Sequence, residues 1–216
     1  LVGSEMCIRD RSYASGEYVA FLDADDWIHP DFYSTLYSLA LKYDTDIIQY
    51  PTTDCTLDAE EREEKSCIHR NSKGNGYYEI NSIIERKQFL NSRILNYGSQ
   101  VKFYKRSFLL NNQSSFMEGV AYEEPSFVYP LLFTAQKIYI FDKPWYYCHI
   151  HKESTMQSYV RQKGKLYDHP RVQLFLFNIM RNKRQIYQCF QSEIDYYFLF
   201  TFYLSLIHIS EPTRRS

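Results

Sequence analysis

Glu17-Tyr18-Val19-Ala20-Phe21-Leu22-Asp23-Ala24-Asp25-Asp26 is the stretch on which the reading of the fold turns. Its opening residues are mostly apolar strand formers. The run stops at three acids, as a buried parallel strand does where its carboxyl end meets solvent. Pro30 and Asp31 then open a helix, proline being favoured in a first turn. Phe32, Leu36, Leu39 and Leu41 give that helix an apolar side. Asp46-Ile47-Ile48-Gln49-Tyr50 reads as the next strand. Strand, helix, strand at this spacing predicts a βαβ unit, and with it an α/β class with a mostly parallel sheet and flanking helices.

Outward from this unit, residues 52 to 76 are polar and acid-rich and carry Gly74 and Gly76, which predicts a surface excursion. Ser82 with Glu85 is a capping-box signal for a helix to about Leu95. Val101 to Tyr104 reads as a strand and Lys105 to Leu110 as a short helix. A further helix starts at Glu123 to Ser126 and passes Leu132. Lys137 to Phe141 is a strand leading to Pro144. Gln173 to Met180 and Ile186 to Tyr203 read as two aromatic-rich C-terminal helices, with core packing the better account of their broad apolar faces and docking to a membrane or partner the other. No internal repeat is present.

The two ends read differently from the middle. Leu1 to Arg11 and Leu204 to Ser216 resemble translations of one transposase sequencing adapter read on opposite strands. The back-translated closing peptide, reverse-complemented and shifted in frame, yields Leu1 to Asp10. Both peptides are therefore set aside as non-native, and the remaining residues, 12 to 203, are expected to be an internal piece of a longer gene. About 190 residues suit one domain or a large part of one. The net charge of -1 gives no reason to expect a nucleic-acid partner. Cys55, Cys67, Cys148 and Cys189 lack metal-ligand spacing and read as reduced thiols of a cytoplasmic protein without a disulfide framework. No apolar run is long enough to span a bilayer.

The chemistry sits at the end of the first strand. In open α/β sheets ligands bind beyond the carboxyl ends of strands, which is where Asp23-Ala24-Asp25-Asp26 lies. Three carboxylates within four residues repel one another unless a cation or water screens them. A hard divalent ion takes such oxygen ligands and keeps positions open for phosphate oxygens. The four residues by themselves are equally consistent with a solvated turn capping the next helix.

The wider segment Ala14-Ser15-Gly16-Glu17-Tyr18-Val19-Ala20-Phe21-Leu22-Asp23-Ala24-Asp25-Asp26-Trp27-Ile28-His29-Pro30-Asp31 resembles the DXD segment of family 2 glycosyltransferases. The resemblance implies a truncated GT-A fold and a nucleotide-diphosphate sugar donor. It implies that Asp23 lies near the ribose or metal and that Asp25, supported by Asp26, holds Mg²⁺ or Mn²⁺ at the diphosphate. Phe116-Met117-Glu118-Gly119-Val120-Ala121-Tyr122-Glu123-Glu124-Pro125-Ser126-Phe127 resembles the family's Glu-Asp segment, whose second acid is the general base. Glu124 holds that place here, a departure from the commoner Asp, with Glu123 beside it. Adjacent acids at a helix start also serve simply to offset the helix dipole.

Tyr146-Tyr147-Cys148-His149-Ile150-His151 resembles the family's Tyr-Tyr-Arg-type element, with His149 where Arg is usual. His149 and His151 would point to one side of an extended segment, His149 toward diphosphate and His151 toward metal; packing in a polar loop is the plainer reading. Lys102-Phe103-Tyr104-Lys105-Arg106 fits the family pattern too, its basic residues reading best as a solvated face. Trp27 is a candidate sugar platform on the donor side.

The resemblance runs from Ser12 to about Met156, which sets a partial GT-A domain over 12–156 and a C-terminal helical region over 157–203. The family's first strands and uracil-binding acid are not in this chain. The implied activity is transfer of a sugar to an acceptor hydroxyl with inversion, in polysaccharide or glycoconjugate synthesis of bacterial type. The implied acceptor is a glycan or lipid-linked glycan, and the implied place is the cytoplasm or the inner face of the cell membrane by peripheral association. Two other classes stand beside this: a non-catalytic interaction module that keeps the fold, and a Mg²⁺-dependent phosphotransferase using Asp23 as nucleophile.

Overall fold

The computed structural model describes residues 14–57, 64–70, 73–120, 122–151 and 168–210, with side chains 57, 64, 65 and 204–210 left aside. The opening peptide at 1–11 and the boundary near 156 lie outside these residues. So does the closing peptide, save for the backbone of 204–210. The elements run β1 (Tyr18–Ala20), β2 (Trp27–Ile28), α1 (Phe32–Tyr43), β3 (Ile47–Gln49), β4 (Thr52–Leu57), β5 (Glu64–His69), β6 (Gly76–Glu79) and α2 (Ile83–Ser92). They continue with β7 (Lys102–Lys105), α3 (Arg106–Asn112), α4 (Glu124–Leu132), β8 (Lys137–Ile140), β9 (Tyr146–His149), α5 (Asp168–Asn182) and α6 (Arg184–Ser210).

The central sheet has five strands in the order β1-β7-β3-β8-β6. The α/β class stands, but the expectation of a mostly parallel sheet is corrected. Only β3 and β8 pair in parallel; β7 is antiparallel to both β1 and β3, and β6 is antiparallel to β8. The two strands of the βαβ unit thus run the same way without touching, because β7 enters between them. The reason is burial. Phe103 packs with α1 on one face and Tyr104 with α4 on the other, so β7 buries apolar side chains on both faces when it lies between β1 and β3.

Period-2 alternation supplies both cores. Ile48, Phe103 and Phe141 meet Phe32, Leu36 and Ala40 of α1. Ile47, Tyr104 and Ile138 meet Phe127, Val128 and Leu131 of α4. A third cluster joins Tyr129 and Phe133 of α4 to Leu176 and Met180 of α5 and Phe190, Ile194 and Phe198 of α6, so the C-terminal helices pack as core. The predicted capping box at Ser82 and Glu85 is present, and α2 ends where Arg93 turns left-handed.

A second, four-stranded sheet runs β2-β9-β4-β5. It corrects two further expectations. The stretch from 52 to 76 begins as a paired hairpin with Thr53 fully buried, rather than as an excursion. Cys55 lies opposite Cys67 in that hairpin, with Cα atoms 4.3 Å apart, and the two form a disulfide. The thiol reading therefore holds only for Cys148 and Cys189. Sequence spacing missed the pair because the register of an antiparallel hairpin, rather than distance along the chain, sets which residues face each other. No helix among the described residues is long and apolar enough to cross a membrane.

Candidate active site

Beyond β1 the chain turns back on itself, with the Asp26 N–H donating to the Asp23 carbonyl at 3.1 Å. The turn is tied to β9. Tyr146 donates its hydroxyl to Asp26 Oδ2 at 2.8 Å and accepts the Asp23 N–H at 3.3 Å, while the His149 N–H donates to Asp26 Oδ1 at 2.9 Å. Both carboxylate oxygens of Asp26 are thereby committed to protein donors. Burial pushes Asp26 up, against the pull of the His149 N–H and the Tyr146 hydroxyl. Two-residue pairing of β2 with β9 fixes the register, Trp27 opposite Tyr147 and Ile28 opposite Tyr146.

That register carries two histidines over the acidic turn. His151 Nε2 lies 3.0 Å from Asp25 Oδ2, and the rings of His149 and His151 are 4.8 Å apart. One ligand atom each from Asp25, His149 and His151 falls within 4.8 Å of the others, a spacing that fits one metal ion. The donor set is one carboxylate and two imidazoles. Imidazole is a poor ligand for Mg²⁺ and is taken more readily by divalent transition-metal ions, the class to which Mn²⁺ belongs. Asp23 stands apart from this trio. Its carboxyl is pushed up to about 6, by burial first and then by the charges of Asp26, Glu124 and Asp25.

The influence of Glu124 on Asp23 marks the second half of the site. Phe21, just past β1, packs edge-on against Phe127 of α4 and against Phe116, with ring centres 5.5 and 5.7 Å away. Phe116 stacks flat on Phe127 at 4.3 Å. This aromatic cluster draws the first turn of α4 toward the end of β1. Ser126 braces the preceding loop, accepting the Met117 N–H at 3.0 Å and donating to the Glu123 carbonyl at 2.7 Å. Glu124 is half-buried, and its Oε1 accepts both the Ser99 N–H and the Ser99 hydroxyl at 2.7 Å. Glu123 is the residue just before α4 and contributes its carbonyl rather than a capping side chain.

The structure thus brings Asp25, His149 and His151 together, keeps Asp23 in the same turn but outside that trio, and sets Glu124 apart on the first turn of α4, bonded to Ser99. Asp26 serves as the anchor of β9. Trp27 has its indole stacked flat on Tyr147, 5.5 Å between ring centres. The reading of Lys102 as part of a solvated face is overturned: Lys102 is fully buried and donates to Asn96 Oδ1 at 2.8 Å and the Gly98 carbonyl at 2.6 Å. Burial pushes its amine down to about 7, against the opposing charge of Glu124. Sequence reasoning did not single out Ser99, nor Tyr146 as the clamp. A lysine inside the apolar run Val101 to Tyr104 was the one available signal, since a lysine in a central strand needs buried partners.

Residues 12–111 match the family model described as Glycosyl transferase family 2. The chain is 26% identical over 190 residues to an uncharacterized glycosyltransferase, YibD of Escherichia coli K12, covering 85% of this chain and 54% of that protein. Among solved structures it is similar to S. aureus TarS 1-349 in complex with UDP-GlcNAc, with a TM-score of 0.54, 16% identity, and 77% of this chain and 44% of that one covered. The complex of the same protein with UDP gives 0.52, 17%, 82% and 51%. The likeness to these structures carries the fold, a truncated GT-A arrangement. The chain spans about half the length of the relatives it matches.

Proposed function

We propose that this chain is the acceptor-side part of a metal-dependent family 2 glycosyltransferase, one that moves a sugar from a nucleotide-diphosphate donor to an acceptor hydroxyl with inversion. The observation that carries the reading is the convergence, at the end of β1, of a metal-ligand trio (Asp25, His149, His151) and a half-buried carboxylate on the first turn of α4 (Glu124). The family match and the UDP-GlcNAc bound by TarS support a UDP-sugar donor. A glycan or lipid-linked glycan is the acceptor we favour, in polysaccharide synthesis at the cytoplasmic side of the membrane.

In this reading Glu124 takes the proton of the acceptor hydroxyl. The freed oxygen forms a bond to the anomeric carbon as the bond from that carbon to the diphosphate oxygen breaks, and the electron pair leaves with the diphosphate. Asp25, His149 and His151 would hold Mn²⁺, which as a Lewis acid neutralises charge on the leaving diphosphate. Asp26 and Tyr146 keep β9, and so both histidines, in register with the turn. Asp23 is placed to accept from donor hydroxyls beside the metal. Trp27, backed by Tyr147, is placed as a sugar platform.

The metal is tested on the chain itself. Mn²⁺ is expected to raise its melting temperature, since a ligand at 100 times its Kd stabilises by about 2.7 kcal/mol. Asp25→Asn and His151→Ala are expected to abolish the rise and Mg²⁺ to give a smaller one. An equal rise in Asp25→Asn would sink the metal site. No rise in wild type would favour a non-catalytic module instead.

A further inference from the structure

Glu124 does not sit alone at the start of α4. The loop from Ile94 to Gln100 reaches over to it, and that loop is held from below by side chains of the central strands. Gln49, at the end of β3 and 4% exposed, donates to the Ile94 carbonyl at 2.8 Å and accepts the Asn96 N–H at 2.8 Å. Tyr50, next along, donates to the Gln100 carbonyl at 2.8 Å. Lys102, the first residue of β7, ties Asn96 Oδ1 to the Gly98 carbonyl, and Asn96 Oδ1 also accepts the Gly98 N–H at 3.1 Å. Three buried side chains from two neighbouring strands thus fix the backbone on each side of Ser99. Ser99 is 6% exposed and directs both of its donors at one oxygen of Glu124.

Such an arrangement is costly unless the geometry matters. A fully buried amine loses its hydration, and here two short bonds to the loop offset that loss. A carboxylate that must meet an acceptor hydroxyl within hydrogen-bond reach needs its side-chain rotamer locked, and a freely rotating glutamate would not supply that. We propose that Ser99, on the loop pinned by Gln49 and Lys102, is the positioning residue of the general base: it holds Glu124 Oε1 and so presents Oε2 to the acceptor hydroxyl. The inference rests on the assignment of Glu124 in the preceding section.

The test is a double-mutant cycle in the full-length gene product, reading Mn²⁺-dependent hydrolysis of UDP-GlcNAc to UDP and N-acetylglucosamine with water as acceptor. Ser99→Ala removes one of the two donors and is expected to lower kcat about tenfold, with the donor KM within about twofold of wild type. Lys102→Met is expected to do the same. In a Glu124→Gln background, Ser99→Ala is expected to cost nothing further, since it acts only through Glu124. Additive losses, or a loss confined to KM, would overturn the positioning role while leaving Glu124 as base. Full activity in Glu124→Gln would overturn both. A second readout is independent of turnover. The Ser99 amide is expected to exchange slowly with solvent in wild type and faster in Glu124→Ala, with α2 amides unchanged. Fast exchange in wild type would also count against the pairing.

Discussion

The two halves of the site are built in opposite ways. On one side, Asp25 and His151 lie half-open to solvent, 3.0 Å apart, with their ligand atoms close to that of His149. On the other, Glu124 is bonded twice by a serine whose loop is fixed by buried Gln49 and Lys102. The first half keeps its ligand atoms at the surface, where an ion could replace the contact between Asp25 and His151. The second satisfies a carboxylate internally and leaves nothing for an ion to organise. A bound ion must exchange water for the donor's phosphate oxygens, so its site has to stay open. A general base must already point in one direction before the acceptor arrives. Tyr146 ties the acidic turn of the first half to β9, donating to Asp26 and accepting the Asp23 N–H.

The largest expected effect is on the internally held half. Glu124→Gln should lower turnover of a UDP-sugar by 10²- to 10⁴-fold, the usual contribution of a general base, while the Mn²⁺ response of the melting temperature persists. Glu123→Gln should cost less, because its side chain caps nothing at the helix start. Glu124→Asp should retain activity, as the family's usual residue there is Asp. Steady-state kinetics on the three variants decide this. A normal rate for Glu124→Gln would dissolve the contrast between the halves.

Smaller, and on stability, is the effect of untying the acidic turn from β9. Tyr146→Phe deletes a buried hydroxyl that donates to Asp26 and accepts from Asp23. It should cost about 1–3 kcal/mol in chemical denaturation, the range for leaving a buried polar partner unsatisfied. It should also weaken the Mn²⁺ response, because β9 carries His149 and leads directly into His151. Unchanged stability would mean that water replaces the hydroxyl and that the link is dispensable.

The last effect is a pH slope, comparable in size over two pH units. Lys102 is held down to about 7 by burial, below its ordinary 10.5. Between those values the unfolded chain binds a proton that the folded chain has released, so folding stability should rise with pH across that window. At most one proton is involved, giving a slope of up to about 1.4 kcal/mol per pH unit. The cleanest interval is pH 7 to 9. Above it Cys148, pushed up to about 12 by burial and nearby acids, contributes with the opposite sign. Denaturant midpoints across that interval should climb in wild type and flatten in Lys102→Met. A flat wild-type profile would remove the desolvated amine from the picture.

Much of this was readable in the chain. The run from Glu17 to Asp26, the helix opened by Pro30 and the strand at Ile47 announce an α/β unit with acids at a strand end, because apolar periodicity and helix punctuation are local properties. The resemblance marked Asp25, His151 and Glu124 as candidates. The order and direction of the strands could not be read that way. Whether β7 lies at an edge or between β1 and β3 depends on how much apolar surface it buries against α1 and α4 together, a sum over residues far apart in sequence. Cys55 facing Cys67 is a matter of hairpin register. Lys102 reads as one more surface cation until the strand that carries it is placed at the centre of the sheet. Ser99, an ordinary loop serine in sequence, acquires a role only where the fold lays its loop against α4. Sequence alone determined which residues had the chemistry to form a site. Only the tertiary structure decided which of them meet, because each meeting depends on packing between segments dozens of residues apart.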